Sequence, residues 1–278
     1  MTMQGKHQKR RVRILVKAFP QPSTKHEETV CCAGVTEDGR ELLRLYPIRY
    51  RRLPKGDQFD RYDLVEMTTT KASSDTRPES HRVDEGSIRL IQHGGISEEA
   101  KVKLWRPFIA PSIGILIEEN KTTGRSLGII RPQPESIKFI IKEAKDSNAI
   151  DQEVADLVYH EQASLLEDPL KPIEKPKHSF SYQFTCADPT RCTCAKNPHT
   201  HQIHDWEVQA TYFYYKRKYK TEEETLAKMK QAYQENIPTH NLHFIMGTMA
   251  SHPKTFIIIG MLRSGVDPEE LSRQQEMF

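Results

Sequence analysis

Three cysteines and three histidines crowd into nineteen residues of this chain: Cys186, Cys192, Cys194, His199, His201 and His204, within CADPTRCTCAKNPHTHQIHDWE. Thiolate and neutral imidazole suit borderline-soft cations, and a structural zinc ion takes four such donors in a tetrahedron, with Cys3His a common set. Of the five cysteines only Cys31 and Cys32 lie outside the cluster, so the grouping carries information. The expected ligands are Cys186, Cys192, Cys194 and His201, with His199 next in line for the fourth place. Cys-x5-Cys-x-Cys is not the paired Cys-x2-Cys knuckle. Two sulfurs one residue apart reach one ion only if the backbone turns sharply, and Pro189 and Pro198 agree with such a loop. An iron–sulfur cluster usually takes four thiolates, which leaves zinc the preferred cofactor.

Directly after the cluster comes His204-Asp205-Trp206-Glu207. If this is a strand, Asp205 and Glu207 share a face, where two carboxylates beside a metal can hold a second cation or act as general base. With His204, and with His252 from the later turn Ser251-His252-Pro253, they form a candidate catalytic set for a metal-dependent nuclease. The other reading makes the carboxylates partners that hold histidine ligands, or an exposed edge. No recognised nuclease signature and no Gly-rich phosphate loop accompanies them.

A third constellation is cationic. RELLRLYPIRYRRLPKGDQFDRY interleaves Arg44, Arg49, Arg51, Arg52, Lys55 and Arg61 with Tyr46, Tyr50, Phe59 and Tyr62. Guanidinium forks suit phosphates, and exposed rings stack on bases. Alternation sends Leu43 and Leu45 one way and Arg44 the other. Arg77 and Arg131 are further candidates, so the expected partner is DNA or RNA. A formal charge of +3 hides the asymmetry: residues 1 to 60 carry 13 basic and 7 acidic side chains, residues 141 to 175 carry 4 and 9, and residues 176 to 220 carry 7 and 3. Localised positive charge attracts polyanions. An adaptor that meets an acidic protein partner is the alternative.

These residues need elements to hold them. RVRILVKAFP, TVCCAGVT, RELLRLYPIRY and YDLVEMTTTK are short β-rich segments separated by turn signals, Asp38-Gly39 among them. At this spacing they suggest a small barrel, with Cys31 and Cys32 packed in a strand as small hydrophobes. SIGILIEEN, the turn KTTGR and SLGIIRP are expected to form a hairpin. ESIKFIIKEA and DQEVADLVYHEQASLL show helical spacing. Pro169, Pro172 and Pro176 break that pattern and set a boundary. Beyond it, HSFSYQFTC and DWEVQATYFYYKRKY are expected strands. TEEETLAKMKQAYQENI is a helix with Thr221 as N-cap and Glu224 completing a capping box. NLHFIMGT and KTFIIIGML are closing strands. The fold class is therefore α+β: small OB-like β-barrel modules and a helical spacer over residues 1–168, then a metal-bearing α+β domain over 177–265.

AGVTEDGRELLRLYPI with the later SLGIIRP resembles the dual OB-like N-terminal regions of uncharacterised bacterial proteins, over residues 11 to 140. The resemblance implies small barrels of a kind often used on nucleic acid and implies no catalytic residue. The C-terminal layout is similar to that of uncharacterised proteins from bacterial mobile or defence regions. The longest apolar run, Phe256 to Leu262, is too short to cross a bilayer, and MTMQGKHQKRRVR lacks the apolar core of a secretory leader. A cytoplasmic protein acting in DNA or RNA repair, defence or modification, without a membrane partner, is the resulting expectation.

Overall fold

Alternating apolar residues in the first ninety positions give each strand one face for a shared interior, and the strands curl to enclose it. The computed structural model describes residues 7–23, 26–71, 75–144, 170–269 and 271. Strands β1 (Gln8–Lys17), β3 (Glu27–Thr36), β4 (Leu42–Ile48), β5 (Leu64–Lys71) and β6 (Ser80–Gln92) pair in the order β1-β5-β6-β4-β3. A further β1–β3 pairing makes the sheet a partly closed ring, and β4–β6 is its one parallel contact, among antiparallel neighbours. Short β2 (Gln21–Ser23) lies on the outer side of β3. Val12, Ile14, Val30, Cys32, Leu43 and Leu45 fill the ring, joined by Phe59, Val65 and Met67.

The same strands have a second apolar face. A register shift between Ile14 and Val16 lets Leu15 and Val16 both turn outward, as an extra residue in a bulge does. With Ala33, Val35 and Leu42 they pack on Ile245, Ile257, Ile259 and Leu262 of a four-stranded sheet. That sheet runs β13-β12-β8-β7, from β13 (His252–Leu262), β12 (His243–Met249), β8 (Leu127–Ile130) and β7 (Ile109–Ala110). Its other face supplies Phe244, Met246, Phe256 and Ile258 to a third core. Burial on both faces is why these strands read as unbroken apolar runs and not as alternating ones.

The third core is closed by a sheet of β9 (Lys138–Glu143), β10 (His178–Phe184) and β11 (His199–Gln202), and by α2 (Ile113–Thr123), α3 (Trp206–Lys218) and α4 (Glu222–Lys230). Helix α1 (Glu98–Trp105) packs Val102 and Trp105 into the core between the halves. The α+β class holds, and the closing strands and the Thr221–Glu224 capping box stand where the sequence placed them.

Three segments differ from expectation. SIGILIEEN is helix α2, capped by Ser112 at its start and by Gly124 in the left-handed region (φ 77°) at its end; Ile113, Leu116 and Ile117 supply its buried stripe. ESIKFIIKEA contains strand β9, whose Phe139 stacks between Phe180 and Tyr233. DWEVQATYFYYKRKY is helix α3, in which Val208 and Tyr212, four apart, face inward. The expected helix DQEVADLVYHEQASLL lies outside the described residues. Pairing of β8 with β12 and of β9 with β10 ties residues 109–143 to the C-terminal half, so sheet structure crosses the boundary expected near residue 168.

Polar groups bridge the halves as well. Arg44, buried, donates to the backbone and hydroxyl oxygens of Ser126 at 3.1 and 3.2 Å. Glu79 accepts from the Ser126 N–H and hydroxyl, at 3.0 and 2.7 Å. Arg77 donates to the Thr248 carbonyl at 2.5 Å, and Arg61 to that of Met261.

A Cβ on Gly260 would sit 2.5 Å from Val16 Cγ2, so this glycine is what lets β13 approach β1. Gly260→Ala is expected to lower unfolding stability by about 1–3 kcal/mol, as overpacking does. Urea titration checks it: an unchanged midpoint would mean that the halves are not in contact at Gly260.

Candidate metal centre

Antiparallel β10 and β11 place Phe184 opposite His199 and Tyr182 opposite His201. The loop between the strands, residues 185–198, therefore starts beside Cys186, carries Cys192 and Cys194, and returns to His199. Side-chain donor atoms of Cys186, Cys192, Cys194 and His199 all lie within 4.8 Å of one another. Cys192 Sγ and His199 Nε2 are 3.0 Å apart. This group can hold a metal ion, and its donor set is one that structural zinc uses.

His201, expected as fourth ligand, is replaced by His199. Both rings are on one face of β11, but two residues along a strand is roughly 6–7 Å of travel, and His199 is the one at the mouth of the loop. The Nδ1 of His201 is 2.8 Å from the Phe256 carbonyl and donates to it, and its Nε2 is buried without a hydrogen-bond partner. Burial lowers the pKa of both rings, that of His201 to about 4, so each is neutral at physiological pH, as a ligand must be.

The supports of the centre come from a helix that the sequence did not announce as one. Ile113 N–H, at the start of α2, donates to Cys186 Sγ at 3.4 Å, and Cys186 N–H donates to Cys194 Sγ at 3.4 Å. The Ser112 hydroxyl, besides accepting from Ile115 N–H, donates to the Thr190 carbonyl at 2.7 Å. N–H groups and the positive end of a helix both favour thiolate over thiol. Gly114 makes the approach possible, since a Cβ there would meet the Arg191 carbonyl oxygen at 1.9 Å. Burial pushes the Cys186 thiol up. For Cys192, burial also raises, but N–H groups of Cys194 and Gly114 and the neighbouring thiols outweigh it and leave the thiol lowered. The signal in the sequence for these supports was Ser112 before an apolar run, a helix-start cue.

The candidate catalytic residues do not converge. Asp205 is the N-cap of α3, not part of a strand: its Oδ1 accepts from Glu207 N–H at 2.9 Å, and its Oδ2 from Met261 N–H at 3.2 Å and Arg61 at 3.3 Å. Glu207 is exposed and 3.0 Å from the same guanidinium. His204 is held by its backbone N–H, which donates to the Ile258 carbonyl at 2.8 Å, and its carbonyl accepts from Phe19 N–H at 3.0 Å. His252 is the exposed first residue of β13, its Nδ1 2.9 Å from the Ser251 hydroxyl. From Ile258 to His252 is six residues of strand, about 20 Å.

The expected phosphate contacts are likewise committed elsewhere. Arg44 and Arg77 are buried in the seam between the halves. Arg49 pairs with Glu85 at 2.8 Å and Arg51 with Glu28 at 2.5 Å, while Arg51 also donates to the Lys171 carbonyl at 2.8 Å. Arg131 pairs with Asp267 and Glu269, at 2.9 and 2.5 Å. Arg52 is half-buried in the single turn Tyr50–Arg52. On the outward face of β4 the second half covers Leu42 and Arg44, while Tyr46 is 44% exposed. No helix among the described residues is long and apolar enough to cross a membrane.

The chain belongs to the family described as a domain of unknown function, DUF8757, whose model matches residues 112–278. Residues 8–107 match a second such description, DUF8758. The junction between the two matches falls at β7, in agreement with the strand pairings. No curated protein matches the chain.

Two outcomes test this geometry. If the centre holds one metal ion per chain, Cys192→Ser or His199→Ala is expected to drop it to near zero by elemental analysis, whereas His201→Ala retains it; the reverse order for the two histidines would restore His201 as ligand. Burial, opposed by Arg61, raises Asp205 from 3.8 to about 6. Folded Asp205 then holds its proton where the unfolded chain has lost it, so its contribution to stability falls as pH rises from about 4 to about 6 and is flat above. Asp205→Asn keeps a capping side chain and removes that slope, as urea titrations across this pH window would read.

Proposed function

We propose that this DUF8757 member is a nucleic-acid-binding protein with a structural zinc ion, acting in the cytoplasm in DNA or RNA repair, defence or modification. The reading is carried by the order of the five-strand ring. Read in chain order as first to fifth, β1, β3, β4, β5 and β6 pair as first with second, second with third, third with fifth, fifth with fourth and fourth with first. Only the third–fifth contact is parallel. That pattern is the one expected of an OB-like barrel, a frame repeatedly used on oligonucleotides.

Zinc fits the second half on the chemistry of its donors. Cys186, Cys192, Cys194 and His199 would hold it, and it would tie the β10–β11 loop to the start of α2. A fully protein-ligated Cys3His ion has no open position for substrate and acts by stabilising the fold. The nuclease alternative gains nothing from the geometry, because Asp205 spends its carboxylate on a helix cap and a buried arginine.

Fluorescence anisotropy with labelled single strands and duplexes tests the reading. Binding that weakens steeply between about 50 and 200 mM salt is expected. Absence of binding to any DNA or RNA at low salt, with a protein partner recovered instead from the native host, would replace it with the adaptor reading. Chelation of the metal is expected to lower the melting temperature of the second half, since ligand binding to the folded state alone is stabilising.

A further inference from the structure

The arginines of β4 and its following turns are used internally, which leaves the question of where a polyanion would meet this protein. The charge that remains gathers around α3. Residues 170–177 and 213–220 together hold seven basic side chains and one acidic one. The acidic one, Glu174, pairs with Lys216 and so pins the two segments side by side. Lys171, Lys175, Lys177, Arg217, Lys218 and Lys220 are all exposed.

Between these segments runs a groove of about 310 Å³ lined by Phe19, Ile173, Trp206, Ala210, Phe213 and Arg217, with Glu174. Positions 206, 210, 213 and 217 step by four, three and four, so they form one stripe along the helix. Beside the stripe, Tyr214 is 51% exposed. Lys218 Nζ stands 5.6 Å from the Tyr214 ring centre and 5.9 Å from that of Tyr219. Cations set over open aromatic faces, along a shallow groove, are what a single strand uses: phosphates meet the charges while unstacked bases lie on the rings. A duplex hides its base faces and would find no use for Tyr214 or Phe213.

We propose that single-stranded nucleic acid binds along α3, with Arg217 and Lys218 on phosphates and Tyr214 and Phe213 as stacking platforms. This inference rests on the nucleic-acid reading above and moves the contact from the strand ring to the second half of the chain.

The test uses the full chain and fluorescence anisotropy with a labelled oligothymidine of about 20 nucleotides, a length that spans such a groove. Arg217→Ala with Lys218→Ala is expected to weaken binding about tenfold or more and to flatten the log–log salt slope by about 1.4, or about 0.7 for each lost phosphate contact. Tyr214→Ala is expected to weaken binding about tenfold with the slope unchanged, the signature of lost stacking. Lys103→Ala with Lys254→Ala, both exposed and outside the groove, is the control and is expected to leave binding as it was. Circular dichroism confirms that each variant is folded.

If wild type binds and the α3 variants bind equally well, the site is overturned and nucleic-acid binding stands. Equal loss in the control pair overturns the site as well, because general charge then explains the binding. Preference for a duplex of the same length overturns the single-strand assignment. If wild type binds no oligonucleotide but does bind a labelled polyglutamate peptide, both readings fall and the surface is a protein-docking one.

Discussion

The described structure is arranged around a hairpin whose segments 243–248 and 256–262 have no solvent face. Strands β12 and β13 give one side to the outer surface of the five-strand ring and the other to the core behind β10 and α3. A strand buried on both sides cannot use alternation to set its register. Register here is fixed instead by shape, through Gly260 against Val16 and Gly247 against Ile259 and Leu127, and by the buried arginines. Arg44, Arg61 and Arg77 each cross from the first half to a backbone carbonyl of the second. Losing one such donor would strand a buried carbonyl, a cost of about 1–3 kcal/mol.

The cysteine centre answers a different problem. The loop 185–198 is long for a hairpin connection, and its backbone has few ladder partners of its own. Three thiols, an imidazole and the first N–H of α2 converge on it, and Gly114 has no Cβ to collide with the Arg191 backbone. The four side chains that can hold a metal and the helix that supports them both lie inside the DUF8757 match, so this brace is contained within one family unit.

How much of this could be read beforehand depended on whether local pattern and tertiary setting agreed. Four of the five ring strands, β1, β3, β4 and β5, are short apolar-rich segments bounded by turn residues and were legible, whereas β6 was not among the segments read as ring strands. Thr221 and Glu224 announced α4 because a capping box is complete in four residues. The three cysteines were legible as a group because soft donors are rare in the chain. The choice between His199 and His201 was not, since both occupy one face of β11 and only the length of the loop separates them. Helix α3 was misread because Tyr212 to Tyr215 favour strands by type, while the deciding evidence was spacing: Asp205 as cap, then Val208 and Tyr212 four apart. Arg44 looked like a surface residue because nothing in an alternating strand says that a second sheet will cover its outer face.

Helix α3 begins where the halves meet. Its cap, Asp205, is tied to Arg61 of the first half, and its first residue, Trp206, stands edge-on to Tyr50 with the Lys17 ammonium 5.6 Å from its ring centre. The chain has two tryptophans, and the other, Trp105, is sealed in the core. Half-buried Trp206 is therefore a built-in optical reporter whose emission colour and quenching register any slippage between the ring and the helix, with no label attached.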